Sequence, residues 1–337
     1  MKYFSMFTGI GGFELGIEQA TNGEWECIGY SEFDKPAIET FKKHYPTYKN
    51  YGDCTKINPE ELPDFDMLCG GFPCQAFSIA GKWRGFEESR GTLFFDIARI
   101  LKVKKPKIVL LENVKGLLNH EKGETFKVIL QTLDELGYDV QWMVLNSKFH
   151  GVPQNRERVF IIGNLRGRSR PKILPFREDD KHNDKEDKGK SSIPTTVSRT
   201  ITTRCGGRYQ DTFIYCVDDG ASPNYQNKMI EQSPALKATR SNYEIGVRAV
   251  NSPDIKEKGM NGPRIKEEEK EMFTLTGRDR HGVYVDKKIR KLTPIECERL
   301  QGFPDDWTKG VSDAQRYKQC GNAVTVNVIK EIVRKLK

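Results

Sequence analysis

The stretch that decides the fold is KYFSMFTGIGGFELG, residues 2–16. It begins as a short apolar run typical of a buried strand, passes through closely spaced glycines, and leads into a helix-like pattern. Glycines directly after a strand permit a tight turn and let a ligand approach the backbone closely. This order predicts the first strand–turn–helix unit of an α/β fold, with a nucleotide-type site at the turn.

The same alternation continues through the first half of the chain. Five further apolar runs are typical of strands, namely WECIGYS, DMLCGG, KIVLLEN, YDVQWMVLNS and RVFIIGN. Among them, GTLFFDIARIL and KGETFKVILQTLDELG carry apolar residues at helical spacing. In the first of these helices the apolar face consists of Leu93, Phe94, Ile97, Ile100 and Leu101. The alternation predicts a doubly wound, mostly parallel sheet covered by helices on both faces.

The character of the sequence changes after Leu165. A nearly all-charged run, EDDKHNDKEDKGK, is typical of a solvated linker. Beyond it, SRTITTRCGGRYQDTFIYCV, SPALKATRSNYEIGVRAV and MFTLTGRDRHGVYV share a pattern that predicts three hairpin-like β units in a small separate domain. Coincidence among Thr-rich loops is the alternative explanation of that repetition.

From about Arg290 the sequence again resembles the first half. Thr293 and Pro294 form a good cap and first turn for a helix over RKLTPIECERLQGF. Asn322 is a plausible cap for a last helix over VTVNVIKEIVRKL, whose apolar stripe must pack on the first domain. The chain is therefore predicted to form one domain from residues 1–165 and 290–337, with residues 166–289 inserted as a smaller β-rich domain.

Composition narrows the class of protein. The 337 residues carry a net charge of +8, with 36% hydrophobic and 30% charged residues, which is typical of a soluble globular protein. No apolar run approaches about 18 residues and no cleavable signal pattern opens the chain, so a cytoplasmic protein without a membrane partner is expected. The eight cysteines form no CxxC pair and histidines number five, which predicts free thiols and no zinc site.

The positive charge is concentrated in one part of the chain. Residues 165–289 hold 25 basic and 19 acidic residues, so +6 of the total +8 lies there. A basic segment of this kind favours a polyanionic partner, and an ordinary solvated charged surface is the alternative.

Two acidic residues suit the predicted nucleotide-type site. Glu32 ends the second strand about 20 residues after the glycine turn, where a carboxylate binds ribose hydroxyls. Asp53 adds a second carboxylate near the third strand. An NAD site fits these features as well, and a helix cap with surface acids is the structural alternative.

Three polar stretches lie at the ends of successive strand candidates. They are Pro73–Cys74, Glu112–Asn113–Val114, and QNRER at residues 154–158. Because such strand ends face one crevice in a doubly wound sheet, a thiol, a carboxyl group and guanidinium groups are expected to meet there. These groups suit attack on cytosine: a thiolate adds to carbon 6 while an acid protonates ring nitrogen 3 and an arginine holds the ring carbonyl. Carbon 5 then becomes nucleophilic enough to take an electrophilic methyl group.

At these residues the chain resembles the cytosine-5 DNA methyltransferases of bacterial restriction–modification systems and phages. The matching stretches, in family order, are FTGIGGF, SEFDKPA, GGFPCQAFS, ESRGTLFFDIARIL, ENV, QNRERVF, LTPIECERLQGFP and QCGNAV. They cover residues 1 to about 165 and 290–337. The resemblance implies a Rossmann-like class I methyltransferase fold, with a catalytic and S-adenosylmethionine-binding domain at 1–165, a target-recognition domain at 166–289, and a return segment at 290–337.

The resemblance also implies roles for individual residues. Cys74 would be the nucleophile, Glu112 would engage ring nitrogen 3, and Arg158 would contact the cytosine with Arg156 nearby. The implied cofactor residues are Phe7, Gly9, Ile10, Gly11, Gly12, Glu32, Phe33, Asp53, Cys54, Pro73, Leu93, Asn322, Ala323 and Val324. Two positions depart from the family pattern: Ser5 stands where many relatives have an acid, and Phe33 stands where some have tryptophan.

Because the target carbon lies inside the base stack, the cytosine must be flipped out of the duplex. By resemblance, the segment after Cys74 is the mobile loop that closes over the base, and the insertion reads the DNA sequence. The candidate DNA contacts are Gln75, Ser78, Lys82, Arg84, Arg90, Arg204, Arg208, Arg240 and Arg278. An ordinary surface loop and a solvated surface are the alternatives for these two groups of residues.

The implied reaction is transfer of a methyl group from S-adenosylmethionine, with S-adenosylhomocysteine as product and no metal. Double-stranded DNA is the implied partner, together with a cognate restriction endonuclease encoded nearby that forms no stable complex, and the enzyme is expected to be a monomer. An RNA cytosine methyltransferase, a catalytically silent DNA-binding relative and, more distantly, an NAD dehydrogenase are the competing hypotheses.

Overall fold

The computed structural model describes residues 1–73, 93–167, 248–251, 270–277, 281–285 and 288–337. In the larger sheet the strands are β1 (Lys2–Met6), β2 (Glu26–Ser31), β3 (Met67–Gly71), β4 (Ile108–Val114), β5 (Tyr138–Asn146) and β6 (Glu157–Leu165). Their spatial order is β2-β1-β3-β4-β6-β5. Strands β1 to β4 pair in parallel, and β6 runs antiparallel between β4 and β5. The predicted mostly parallel sheet is confirmed, and each of its six strands coincides with an apolar run.

Helices cover both faces of this sheet. The described α-helices are α1 (Gly12–Thr21), α2 (Lys35–His44), α3 (Leu93–Lys104), α4 (Glu124–Glu135), α5 (Pro294–Leu300), α6 (Asp313–Asn322) and α7 (Val326–Leu336). Leu68 and Val109 pack against α3 and α4, whereas their neighbours Met67 and Leu110 pack against α1 and α7. Consecutive strand residues point to opposite faces, so one buried sheet supports two apolar layers.

The C-terminal helix packs against α1 and the larger sheet. The predicted stripe of α7 is buried: it consists of Val328, Ile329, Ile332, Val333 and Leu336. Helix α7 lies so close to α1 that a Cβ added at Gly16 would meet Ile329 at 2.7 Å. Helix α5 begins with the predicted cap, since Thr293 and Glu296 form a reciprocal capping box.

Two expectations about local structure are wrong. Asn322 is not the cap of the last helix: it is the last residue of α6, and Thr325 precedes α7 as its N-cap. The hairpin predicted within residues 272–285 is also absent from the described residues. Residues 272–275 instead hydrogen-bond to Pro153–Asn155, so that Met272 and Gln154 form an isolated bridge.

A second, three-stranded antiparallel sheet contains β7 (Arg248–Asn251), β8 (His281–Val285) and β9 (Lys288–Lys291), in that order. Strand β8 therefore pairs with β7 and β9 rather than with residues 274–277. No helix in the described part of the chain is long and apolar enough to cross a membrane.

Candidate active site

The glycine turn after β1 adopts backbone conformations that favour glycine. Gly9 and Gly11 have φ values of 58° and 93°, which lie in the left-handed region where a side chain costs energy. A Cβ added at Gly9 would meet nothing within 4 Å, so the turn opens into free space. Gly12 has no such free space, because a Cβ added there would lie 2.7 Å from Val324 Cγ1. The turn therefore has one open side and one side packed on the return segment.

The peptide groups of this turn are held at specific points. The Gly9 N–H donates to Glu32 Oε2 at 2.8 Å, and the Gly11 N–H donates to the Thr8 carbonyl at 3.1 Å. The Ile10 carbonyl accepts from the indole Nε1 of Trp307 at 2.8 Å. Within the described residues the Gly9 carbonyl and the Ile10 N–H make no hydrogen bond. One peptide group of the turn therefore remains available to a ligand.

Glu32 and Phe33 lie beside this turn. The Glu32 carboxylate accepts three backbone N–H groups, from Gly9, Phe33 and Asp34, at 2.8–2.9 Å. Oε1 accepts two of these bonds and Oε2 only one, so Oε2 can still accept a ribose hydroxyl. The Phe33 ring is 70% exposed, which is unusual for a large apolar side chain and leaves a free face for stacking.

Asp53 and Cys54 occupy the adjoining loop with mainly local contacts. Asp53 caps a short helical turn: its Oδ1 accepts from the Thr55 N–H and hydroxyl, which lowers the pKa of the carboxyl. The Cys54 thiol is buried, and burial raises its pKa to about 12. Its carbonyl accepts from Arg99 of α3 at 3.0 Å. Cys54 is thus a core side chain.

The predicted catalytic carboxyl and one guanidinium meet at the carboxyl end of β4. Glu112 Oε1 lies 3.0 Å from Arg158 Nε, and both side chains are largely buried. Arg158 Nη1 donates to the Glu157 carbonyl at 2.8 Å, whereas Nη2 has no partner in the described part of the chain. Glu112 Oε2 likewise has none, and it lies 2.9 Å from where a Cβ on Gly71 would be. One acceptor and one donor are therefore presented side by side.

Burial weakens the charged form of these arginines. It lowers the pKa of Arg158, and the Glu112 carboxylate opposes that shift. Burial and the nearby Arg158 charge lower the pKa of Arg156 to about 9, which leaves it protonated at neutral pH.

Arg156 lies in a different environment from Arg158. Its guanidinium is fully buried and donates to the carbonyls of Leu275, Gly321 and Ala323 at 2.8–3.1 Å. These bonds join the start of β6 to residues 270–277 and to the return segment. The geometry gives Arg156 a positioning role, since its Nη1 and Nη2 groups donate to backbone carbonyls.

The remaining predicted residues are placed as follows. Pro73 is exposed at the end of β3, and the Phe72 carbonyl before it accepts from Asn113 Nδ2 at 2.8 Å. Phe7 has a φ of 54° and is partly buried, and Leu93 is the first residue of α3. Ala323 and Val324 are buried against the glycine turn and its surroundings, while Asn322 is exposed. Ten predicted site residues lie outside the described residues: Cys74, Gln75, Ser78, Lys82, Arg84, Arg90, Arg204, Arg208, Arg240 and Arg278.

Four residues that support the site were not predicted from the sequence. Asn113, within the ENV stretch, holds the backbone that leads to Pro73, and Gly71 leaves room for the Glu112 carboxylate. Asn50 donates to the Glu32 carbonyl and accepts from the Gly52 N–H, so it joins the two loops with acidic residues. Trp307 bonds to the glycine turn. Only the motif around Asn113 offered a signal, because the other three act through contacts with residues distant in sequence.

A search for metal ligands finds no suitable group of three His, Cys, Asp or Glu side chains within the described ranges.

Comparison with known proteins identifies relatives along the whole length. Residues 1–337 match the family described as C-5 cytosine-specific DNA methylase. The chain is 34% identical to an orphan methyltransferase, M.SPRI, of Bacillus phage SPR, and the alignment covers 100% of this chain and 97% of the relative. It is 36% identical to the type II methyltransferase M.HhaI of Haemophilus parahaemolyticus, covering 98% and 93% of the two chains. With the type II methyltransferase M.NlaX of Neisseria lactamica it shares 37% identity over 100% and 96%.

Solved structures show the same fold. A DNA modification methyltransferase encoded within an E. coli prophage superposes with a TM-score of 0.60 at 19% identity, covering 100% of this chain and 98% of that one. A mutant of Spodoptera frugiperda DNMT2 gives a TM-score of 0.57 at 17% identity, covering 99% of each chain. These matches confirm the class I methyltransferase fold and, with the sequence relatives, the predicted resemblance. The chain belongs to the C-5 cytosine-specific DNA methylase family, and it is a DNA (cytosine-5)-methyltransferase.

Proposed function

We propose that the enzyme methylates carbon 5 of a cytosine flipped out of a specific duplex DNA sequence, through a covalent adduct between Cys74 and carbon 6. The observation that carries this proposal is the contact between Glu112 Oε1 and Arg158 Nε at 3.0 Å, which leaves Glu112 Oε2 and Arg158 Nη2 without partners in the described residues. A cytosine presents ring nitrogen 3 beside its ring carbonyl, and this pair matches the acceptor and donor. Glu112 would exchange a proton with nitrogen 3, and Arg158 would donate to the carbonyl.

The sequence provides the proposed nucleophile three residues after the end of β3. Cys74 follows Pro73, whose preceding carbonyl is fixed by Asn113. In the proposed reaction the Cys74 sulfur forms a bond to carbon 6 while nitrogen 3 takes a proton from Glu112. The electron pair released toward carbon 5 forms the new carbon–methyl bond. A base such as water then takes the carbon-5 proton and nitrogen 3 returns its proton to Glu112, so that the double bond re-forms as the sulfur–carbon bond breaks.

The family is one of S-adenosylmethionine-dependent methyltransferases, and the glycine turn fits that cofactor. S-adenosylmethionine supplies an electrophilic methyl group and leaves as S-adenosylhomocysteine. Glu32 would bind the ribose hydroxyls, and Phe33 would stack on the adenine. The open side of Gly9 and the free Ile10 N–H supply space and a donor. Asp53 and Asn322 are proposed at the margin of this site.

We further propose that residues 166–289 read the DNA sequence and that the segment after Cys74 closes over the flipped base. In this proposal the enzyme works as a cytoplasmic monomer. The named relatives include type II methyltransferases, which favours a protective role beside a restriction endonuclease. Bisulfite sequencing of plasmid DNA from cells expressing the protein would identify the methylated sequence.

The covalent step is tested with duplex DNA that carries 5-fluorocytosine at the target. Fluorine cannot leave carbon 5 as a proton does, so the reaction should stop as a Cys74–DNA complex that resists denaturant and requires S-adenosylmethionine. Cys74→Ser should abolish the complex, because a serine hydroxyl is far less ionised and less nucleophilic than a thiol.

Cys69→Ser is the matched control on the preceding strand. The Cys69 thiol is fully buried, and burial raises its pKa well above the usual value, so this variant should still form the complex. A denaturant-stable adduct in Cys74→Ser would overturn the proposed mechanism. Failure of the wild-type protein to modify duplex DNA, with transfer to tRNA instead, would favour the RNA methyltransferase hypothesis.

A further inference from the structure

Trp307 connects the return segment to the glycine turn across 297 residues of sequence. Its indole Nε1 donates to the Ile10 carbonyl at 2.8 Å in a buried contact. Ile10 and Trp307 belong to one apolar cluster, and Trp307 is 7% exposed. Because a buried carbonyl without a partner is costly, this bond fixes the orientation of the Ile10–Gly11 peptide.

The turn that carries Trp307 is itself firmly held. Asp306 has a φ of 62°, a left-handed conformation that a non-glycine residue adopts only where its surroundings impose it. Thr308, which directly follows Trp307, donates its N–H to Oε1 of the fully buried Glu298 at 2.9 Å. Arg316 pairs with that same oxygen at 3.0 Å. A buried ion pair therefore anchors the backbone on one side of the indole.

Helix α2 holds the indole from the other side. The His44 ring stacks on Trp307 with centroids 3.6 Å apart and planes 3° from parallel. His44 Nε2 lies 2.8 Å from the Trp307 carbonyl, and Lys43 Nζ donates to the Lys309 carbonyl at 2.5 Å. The indole is thus fixed in position before any ligand binds.

We propose that Trp307 is a positioning residue for the cofactor: by holding the Ile10 carbonyl, it orients the unpartnered Gly9–Ile10 peptide toward the ligand. The neighbouring Thr8–Gly9 peptide is held by the bonds to Glu32 and to Gly11, so the turn is fixed on both sides of the free group. A preorganised turn loses less entropy when it binds its ligand. This inference rests on the proposed binding of S-adenosylmethionine at the turn.

The test compares Trp307→Phe with the wild-type enzyme. Phenylalanine keeps a ring on His44 and removes the N–H donor to Ile10. It also fills less of the apolar cluster than the indole does, and the control variant below shares that loss of packing. We expect the dissociation constant of S-adenosylhomocysteine, measured by calorimetry without DNA, to rise about tenfold. The KM for S-adenosylmethionine should rise by a similar factor, with kcat and the KM for DNA within about twofold of wild type.

Trp142→Phe is the matched control. Trp142 is equally buried and packs on Phe126, but its indole makes no hydrogen bond in the described residues. This variant should bind S-adenosylhomocysteine like the wild type even if its Tm falls.

Backbone hydrogen exchange of the cofactor-free proteins gives a second readout. Exchange in residues 7–12 should be faster in Trp307→Phe and unchanged in Trp142→Phe. His44→Phe, which retains a flat ring below the indole, provides a milder variant if Trp307→Phe folds poorly, and it should weaken binding about threefold.

Failure of the proposed cofactor site and failure of the proposed role of Trp307 give different results. If the wild type does not bind S-adenosylhomocysteine, the proposed cofactor site is wrong. If the wild type binds it and Trp307→Phe binds within twofold with unchanged exchange in residues 7–12, the role of Trp307 is wrong.

Discussion

Glu14 is a buried carboxyl that should make the stability of this enzyme depend on pH. It lies in the first turn of α1 with no exposed surface, and neither carboxyl oxygen has a hydrogen-bond partner among the described residues. Burial raises the pKa of Glu14 to about 7, although the nearby Ser5 and Thr8 hydroxyls lower it somewhat. The ordinary pKa of a glutamate carboxyl is 4.5, so between these two values the folded protein binds a proton that the unfolded chain releases.

The sign of the effect follows from that difference. The contribution of protonated Glu14 to stability is complete below the unfolded pKa and is lost as the pH rises through about 7. Each unit of pKa shift corresponds to about 1.4 kcal/mol, so we expect the free energy of unfolding to fall by about 2–3 kcal/mol between pH 5 and pH 8. The tyrosine and cysteine side chains that face Glu14 have pKa values raised by burial and do not titrate in this range: Tyr3, Cys27, Tyr30, Tyr45, Tyr48 and Cys69.

Urea unfolding at pH 5, 6, 7 and 8 measures this contribution. Glu14→Gln keeps the shape of the side chain without its charge. The free energy of unfolding of this variant, relative to that of the wild type, should therefore rise by about 2–3 kcal/mol from pH 5 to pH 8. Glu39→Gln, which alters an exposed carboxylate on α2, should follow the wild-type curve. If the free energies of unfolding of the wild type and of Glu14→Gln changed in parallel with pH, the reasoning would be refuted. Glu14 would then release its proton equally readily in the folded and the unfolded state.

Three further predictions concern catalysis and specificity. Glu112→Gln should bind S-adenosylhomocysteine normally and methylate about 100- to 10,000-fold more slowly, because an amide cannot donate the same proton to the ring; an effect confined to cofactor affinity would contradict this role. Gly71→Ala should lower kcat about 100-fold, since its methyl group would lie 2.9 Å from Glu112 Oε2. Gly116→Ala, whose Cβ has ordinary contacts, is the control, and equal activity of the two variants would show that the Glu112 position is not critical. Exchange of residues 166–289 for those of a relative should transfer the methylated sequence, as read by bisulfite sequencing, and an active chimera with the original specificity would show that the reading residues lie elsewhere.

Much of the fold could be predicted because its signals are local. Each strand of the larger sheet is an apolar run buried on both faces, and five of the seven described helices follow from a glycine turn, an apolar stripe or a cap. Helices α2 and α6 were not predicted. Thr293 and Pro294 fixed the start of α5 correctly. Asn322 was misleading because its residue type suits a cap. In the structure α6 extends through Asn322, and Thr325 is the N-cap of α7.

Part of the candidate site could be predicted in the same way, from short motifs. Glu112 and Arg158 both stand in short motifs next to predicted strands. They meet because β6 runs antiparallel to β4, so that the start of β6 lies beside the carboxyl end of β4; the prediction had relied on carboxyl ends alone. The role of Arg156 was not readable, because spacing alone cannot distinguish a guanidinium that faces a crevice from one that donates to carbonyls at residues 275, 321 and 323. The hairpin predicted within residues 272–285 failed for a related reason. Residues 272–275 find their partners in the first domain, so tertiary contacts override the local hairpin pattern.

The bond between Trp307 and Ile10 has a consequence for how the enzyme is made. The two residues are 297 positions apart, and ribosomes add about 5–20 residues per second. A nascent chain therefore carries its glycine turn for roughly 15–60 seconds before the indole that holds it has been synthesised. Closing so long a loop is slow and comes late in folding. During that interval the turn and the apolar cluster around Ile10 are accessible to chaperones and proteases, so the yield of active enzyme in a cell depends on how quickly the last part of the chain arrives.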